Sequence, residues 1–252
     1  MHTRADQRVI DGAAPEPVAI LVNGPSSSGK STLCRALHER LTDRADGDSG
    51  AGFASVAFDD VVALISDKLY PVSLVTLHGG DLSRLTSRES HDGRAAWEYV
   101  DDTDAANGGD GRPRVRLVLR DDTRRLLSGL QRGWSEHLQL GTNLIIDHFL
   151  QDKEWSDEAT GMIKGSGARI FLVGVFCSVE ELERREASRG DGGLEERPLG
   201  LARRSSELCH SHGLDYDLVV RTDEQTIKES VDAIMDALDT PATGVPRLRR
   251  NS

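Results

Sequence analysis

The nine residues Gly24-Pro25-Ser26-Ser27-Ser28-Gly29-Lys30-Ser31-Thr32 constrain the fold more than any other part of the chain. They fit the pattern GxxxxGK[ST], which acquires its meaning between a buried strand and a helix. Both flanks are present. Val18 to Val22 reads VAILV, a continuous apolar run suited to a strand covered on both faces, and Asn23-Gly24-Pro25 breaks it. Leu33, Leu37 and Leu41 then recur every four residues between Ser31 and Thr42, marking one apolar helix face. In that setting the glycines let the backbone wrap an anion, N–H groups point inward, and the helix N-terminus adds its positive end. A site for Mg²⁺-ATP is therefore predicted: Gly24 through Thr32 cradle the phosphates, Lys30 reaches the β- and γ-phosphates, and the Ser31 hydroxyl ligates the metal.

Strand-like and helix-like stretches alternate through the rest of the chain, as in a parallel sheet covered by helices. Further strands are predicted at Phe53 to Phe58, Asn143 to Asp147, Ile170 to Phe176 and Leu218 to Arg221, with a short strand or extended arm at Val115 to Leu119. Helices are predicted from Asp59 through Leu69, from Asp122 to Gln139, around Trp155 to Lys164, after a Ser178 cap along ELERREASR, from Leu201 to Cys209, and along the face of Ile227, Val231, Ile234 and Leu238. Residues 78–113 are rich in Gly, Asp, Ser and Arg, with little periodicity beyond the apolar Trp97, Tyr99 and Val100, and read as a partly mobile insertion. Residues 17–240 read as one domain with a lid at 189–199, between a flexible N-terminus (1–16) and a loose tail (241–252).

Several side chains are candidates for chemistry. Asp147 ends the apolar strand NLIID, where a carboxylate either holds the water shell of Mg²⁺ or caps the next turn. Asp59 and Asp60 follow the second strand at the same sheet edge, where ligands bind in open α/β folds. Either can take a hydroxyl proton from an acceptor, and either can cap a helix. Arg185 and Arg189 are four apart and share a helix face, and with Arg197 they suit a closing lid that steadies a transferring phosphoryl group. Arg184 points elsewhere and pairs with Glu180 or Glu181. His148 either touches substrate or supports a neighbouring group, while Cys209-His210-Ser211-His212 reads as a metal-binding run or a polar helix end.

Composition narrows the classes. The 252 residues carry 31 Lys plus Arg against 42 Asp plus Glu, a formal charge of −11, which excludes the broad basic field of nonspecific nucleic-acid binding. Any anion must be captured locally. Only 5 of the basic residues are lysines, so one in the phosphate loop is conspicuous. Cys34, Cys177 and Cys209 form no CxxC pair, as expected of reduced thiols, and neither an export signal nor an 18-residue apolar run occurs. The expectation is a soluble cytoplasmic protein with no membrane partner.

ILVNGPSSSGKSTL, FDDVVALI, NLIIDHFL, VGVFCSVEELERREASRGD, GLARRSSELCHSHGLDYDLVV and IKESVDAI follow one another along most of the chain. Together they resemble the chloramphenicol phosphotransferase-like family of P-loop kinases. The resemblance implies a fold class of α/β, a P-loop NTPase (nucleotide-kinase-like) three-layer sandwich with a central parallel sheet and an insertion near the acceptor site. It implies transfer of the ATP γ-phosphoryl to a hydroxyl of a small molecule, chloramphenicol being the family's namesake acceptor. By position, Lys30 and Ser31 match the phosphate and magnesium residues, Asp59 the carboxylate acting as general base, and Arg185 and Arg189 the arginines near the lid. Arg197 matches an arginine that normally follows the glycine-aspartate step directly, here displaced by Gly192 to Glu196. His148 stands where the family often has a second aspartate. The segment from His78 to Arg114 is much longer than in short members and falls at the acceptor pocket. The acceptor class thus stays open between an antibiotic, which phosphorylation would inactivate, and a nucleoside, sugar or sugar nucleotide; a non-catalytic ATP-binding regulatory module is the alternative from another class.

Overall fold

The computed structural model describes residues 16–45, 52–60, 64, 96–102, 111–188 and 198–240. Expectations for residues 1–15, most of the helix after Asp60, residues 78–95 and 103–110 of the insertion, residues 189–197 of the lid, and the tail lie outside the described residues. In chain order the elements are β1 (Val18–Asn23), α1 (Lys30–Ala45), β2 (Phe53–Ala57), β3 (Trp97–Asp101), β4 (Val115–Leu119), α2 (Asp121–Gln139), β5 (Asn143–His148), α3 (Lys153–Gly165), β6 (Arg169–Phe176), α4 (Val179–Ser188), α5 (Leu201–Leu208), β7 (Leu218–Arg221) and α6 (Ile227–Asp239).

Five strands pair in parallel in the order β2-β5-β1-β6-β7. β1 is central because its residues from Ala19 to Asn23 are fully buried, and alternate side chains feed two separate cores. Ile20 and Val22 pack with Leu33, Leu37 and Leu41 of α1 and with Val231 and Ile234 of α6. Ala19 and Leu21 pack on the opposite face with Trp134 and Leu138 of α2 and Ala159 and Ile163 of α3. The result is the three-layer sandwich of a P-loop NTPase. Local signals fix several helix starts: Asp152 accepts from the Trp155 N–H ahead of α3, and Thr226 with Glu229 forms a capping box on α6. Ser178 precedes α4, but its N–H donates to Asp223 at 2.8 Å, which ties α4 to the loop after β7.

Within the segment read as a partly mobile insertion, residues 97–101, which hold its apolar patch, are regular. They form β3, antiparallel to β4, with Trp97 opposite Leu119 and Tyr99 opposite Leu117. Five residues carry too little alternation to announce a strand alone. Pairing with β4 supplies the backbone hydrogen bonds, and Ala96 O accepts from both Thr123 Oγ1 (2.6 Å) and Arg120 N (3.1 Å), joining the ribbon to α2. Trp97, Tyr99, Val115 and Leu119 bury themselves with Phe58, Leu127, Trp155 and Leu201 in a third core beyond the sheet edge.

Asn23, fully buried at the end of β1, joins the segments around the carboxyl end of that strand. Its amide donates to Cys209 O (2.6 Å) and Tyr216 Oη (2.7 Å), and its carbonyl accepts from Leu150 N at 2.9 Å. The Tyr216 hydroxyl is also bonded to His210 Nδ1 (2.6 Å) and His212 Nε2 (2.9 Å), so the two histidines of the Cys209–His212 run serve this half-buried phenol. Asn23→Leu removes the side-chain partner of Cys209 O and of Leu150 N and one of the partners of the Tyr216 hydroxyl, and a loss of about 2–4 kcal/mol in unfolding free energy is expected by urea denaturation, with the m-value retained.

Candidate active site

The phosphate loop is shaped by close packing at both ends. A Cβ at Gly24 would lie 2.6 Å from Val175 O, and Gly29 takes φ +86, so the chain leaves β1 pressed against β6 and turns sharply into α1. Lys30 Nζ spans the loop and donates to Pro25 O at 2.9 Å. From behind, Thr222 Oγ1 donates to Ser28 O at 2.7 Å. Among the described residues the Ser27 and Ser28 hydroxyls are buried without a hydrogen-bond partner. Two orphaned donors beside Lys30 and the α1 N-terminus fit the oxygens of a polyphosphate.

Ser31, the second residue of α1, donates from Oγ to Asp147 Oδ2 at 2.6 Å. Parallel pairing fixes this meeting, because Asp147 sits beside Val22 in the register of β5 on β1 and is mostly buried. A hydroxyl and a carboxylate are hard oxygen donors and fit Mg²⁺, which when bound supplies charge that neutralises the phosphates.

A cleft of about 970 Å³, its open mouth included, extends from the loop. Residues 26–32, Asp59, Asp147 and Ser205 form its polar floor and edge, and Phe58, Trp97, Tyr99, Leu117, Leu119, Phe149 and Leu201 form its walls. Asp59 is exposed at this cleft, whereas Asp60 turns back and accepts from Ala57 N at 2.6 Å, acting as the local cap. The two carboxylates thus differ in surroundings. His148 also lines the cleft, fully buried against Phe58 and Trp134, with Nε2 3.3 Å from Gln131 Nε2. Burial, chiefly, pushes its pKa down to about 4, and the nearby Lys30 charge acts in the same direction, so the ring is neutral at pH 7.

Arg185 stands at the back of the loop. It bonds Glu181 Oε1 (2.7 Å), Thr222 O (2.9 Å) and Thr222 Oγ1 (3.2 Å), and approaches Ser28 O at 3.4 Å. Arg184 pairs with Glu181 on the exposed face of α4. Hydrogen bonds from Arg184 and then Arg185 lower the Glu181 pKa to about 2, keeping its charge in place through the neutral range. Arg189 and Arg197 lie outside the described residues. Burial raises the pKa of Cys34 and of Cys209, the latter to about 12, so neither is a nucleophile at neutral pH.

Sequence reasoning missed the aromatic wall, Ser205, Thr222 and Asn23. Trp97 with Tyr99, and Leu117 with Leu119, do show the period-two spacing of a strand face, and this was the available signal. Ser205 and Thr222 carry none, since each acts through a contact more than 175 positions away.

A family model described as chloramphenicol phosphotransferase-like protein matches residues 99–239, and an AAA ATPase domain model matches residues 7–164. Among curated proteins, two strains of Mycobacterium tuberculosis carry a protein provisionally named an O-phosphotransferase, 27% identical over 215 residues, 85% of this chain and 79% of that one. Among solved structures, a sugar kinase from Janibacter aligns with TM-score 0.48 at 14% identity, covering 88% of this chain and 95% of that one. An APS kinase from Mycobacterium tuberculosis aligns with TM-score 0.48 at 15% identity, covering 90% and 99%. The first model spans more than half of the chain and takes in most of the β3–β4 ribbon, Asp147 and α4 through α6 as one continuous match, and on that basis the protein belongs to the chloramphenicol phosphotransferase-like family.

Proposed function

We propose that the protein transfers the γ-phosphoryl group of Mg²⁺-ATP to a hydroxyl of an uncharged, largely apolar small molecule, an antibiotic of chloramphenicol-like character being the leading acceptor class. One observation carries the reading: a phosphate loop and the carboxylate of Asp59 border the same cleft, whose remaining walls are aromatic and aliphatic. Among the described residues lining it, Lys30 is the one permanent cation. Walls of this kind suit an acceptor that presents apolar surface, while Arg189 and Arg197 of the lid lie outside the described residues.

In this reading the loop amides and Lys30 hold the β- and γ-phosphates. Ser31 and Asp147 hold Mg²⁺. Asp59 takes the proton of the acceptor hydroxyl as its oxygen bonds to the γ-phosphorus and the bond from that phosphorus to the departing ADP oxygen breaks. Lys30 stays on the transferring group, where charge spreads over three oxygens. Arg185 braces the loop through Ser28 and Thr222, and the roles of Arg189 and Arg197 at the lid follow the resemblance. The apolar walls orient the acceptor and exclude water that would otherwise compete as nucleophile.

A panel of hydroxylated antibiotics, nucleosides and sugars, incubated with Mg²⁺-ATP and scored by mass, should yield a product heavier by one phosphoryl group, with chloramphenicol-like compounds ahead of the nucleosides and sugars. ATP binding without any product would instead support a regulatory module. Lys30→Ala should lower transfer by about 10²–10³-fold or more. Asp59→Asn should cut transfer by about 10²–10⁴-fold while leaving the ATP dissociation constant near that of the wild type, as measured by calorimetry; an unchanged rate removes Asp59 as the base. Chelation with EDTA should abolish turnover and added Mg²⁺ restore it.

A further inference from the structure

The helix α5 touches both halves of the site. Ser205, buried on α5, accepts the Ser26 N–H of the phosphate loop at 2.9 Å and donates to Ala202 O at 2.9 Å. One turn away, Gly200 O accepts from Val115 N of β4 at 3.1 Å. This contact is backbone against backbone, since a Cβ on Gly200 would lie 2.6 Å from Pro113 O. Charged groups extend the same joint. Arg114, mostly buried, pairs with Glu207 at 2.7 Å, and Arg204 pairs with Asp102 at 2.5 Å and with Glu207 at 3.0 Å. The carboxylate of Glu186 on α4 accepts from Gly200 N (2.8 Å) and Ala202 N (2.7 Å), fixing the start of α5 from its other side. Leu201 projects from this helix into the acceptor wall.

We propose that Ser205 is a positioning residue that couples the phosphate loop to the acceptor-binding ribbon, with α5 as the rigid link, so that nucleotide and acceptor each favour binding of the other. The proposal rests on the ATP-binding reading above. The loop has one side-chain hydroxyl tie to α5, and α5 has a backbone bond and two ion pairs to the ribbon and its flanks. A loop stiffened by phosphate holds Ser26 against Ser205. The hydroxyl transmits that restraint to a helix bonded on one side to β4 and to Asp102 after β3, and held on the other by Glu186 and Glu183 of α4, so a restraint at Ser205 reaches the ribbon through those direct bonds. Coupling of this kind is reciprocal, so an acceptor that orders the ribbon also favours the nucleotide-holding loop.

Hydrogen exchange tests this without knowledge of the acceptor, using the non-hydrolysable analogue AMPPNP with Mg²⁺ on the full chain. In the wild type, amides at the start of α1, in α5 and in β3 and β4 should all exchange more slowly with the analogue, those of the ribbon by about 5-fold or more. Ser205→Ala should keep the protection at α1, which also reports a folded protein, and lose it in both α5 and the ribbon. Asp102→Asn should keep it at α1 and α5 and weaken it in the ribbon. Protection that stops at α1 in the wild type, or passes undiminished through Ser205→Ala, overturns the coupling and leaves nucleotide binding intact. Absence of any protection at α1 in the wild type overturns the nucleotide reading and the coupling together.

Discussion

The site depends on a buried amide at the end of the central strand. Asn23 is the last residue of β1 before the phosphate loop, and its side chain holds the chain just after β5 and the segment between α5 and β7 in fixed relation to that strand. A buried side chain with both amide hydrogens and its carbonyl engaged cannot move without leaving polar groups unpaired. Each group that follows inherits this fixity: the loop starts from Gly24, Asp147 arrives through the parallel register, and Ser31 meets it at hydrogen-bonding distance.

Two kinds of surface face one another across the cleft. One is polar and backbone-rich, made of loop amides, Lys30 and two carboxylates. The other is aromatic and aliphatic, contributed largely by a two-stranded ribbon outside the sheet. The division suits a reaction in which one substrate is a highly charged polyphosphate and the other must be oriented chiefly by shape. A net charge of −11 does not oppose this arrangement, because the anion is held by local dipoles and one lysine, not by a general field.

Much of the frame was legible in the sequence for local reasons. VAILV could be only a buried strand, GPSSSGKST fixed what followed it, and NLIID placed a carboxylate at a neighbouring strand end. The alternation of strands and helices gave the layering. What escaped was whatever depends on distant pairing. Trp97 and Tyr99 sit in a stretch without a pattern long enough to declare itself, and they become a wall only when Leu117 and Leu119 come alongside. Arg185 was readable as basic and on a helix, but its hold on Thr222 and its place behind the loop follow from where β7 ends. Asp59 and Asp60 are adjacent in sequence and each could serve as base or cap on paper; the bond from Ala57 N to Asp60 depends on how the chain turns after β2, which the sequence does not show.

Among the described residues, the β3–β4 ribbon shares no hydrogen-bonded edge with the five-stranded sheet. Its inward residues are therefore set by packing against Phe58, Leu127, Trp155 and Leu201, not by the register that locks β1, β5 and β6 together. A change of apolar shape in this wall is taken up by side-chain packing and by the joint with α5 and leaves the pairing of the parallel strands in place, so the shape of the cleft and the order of the sheet are set by different contacts.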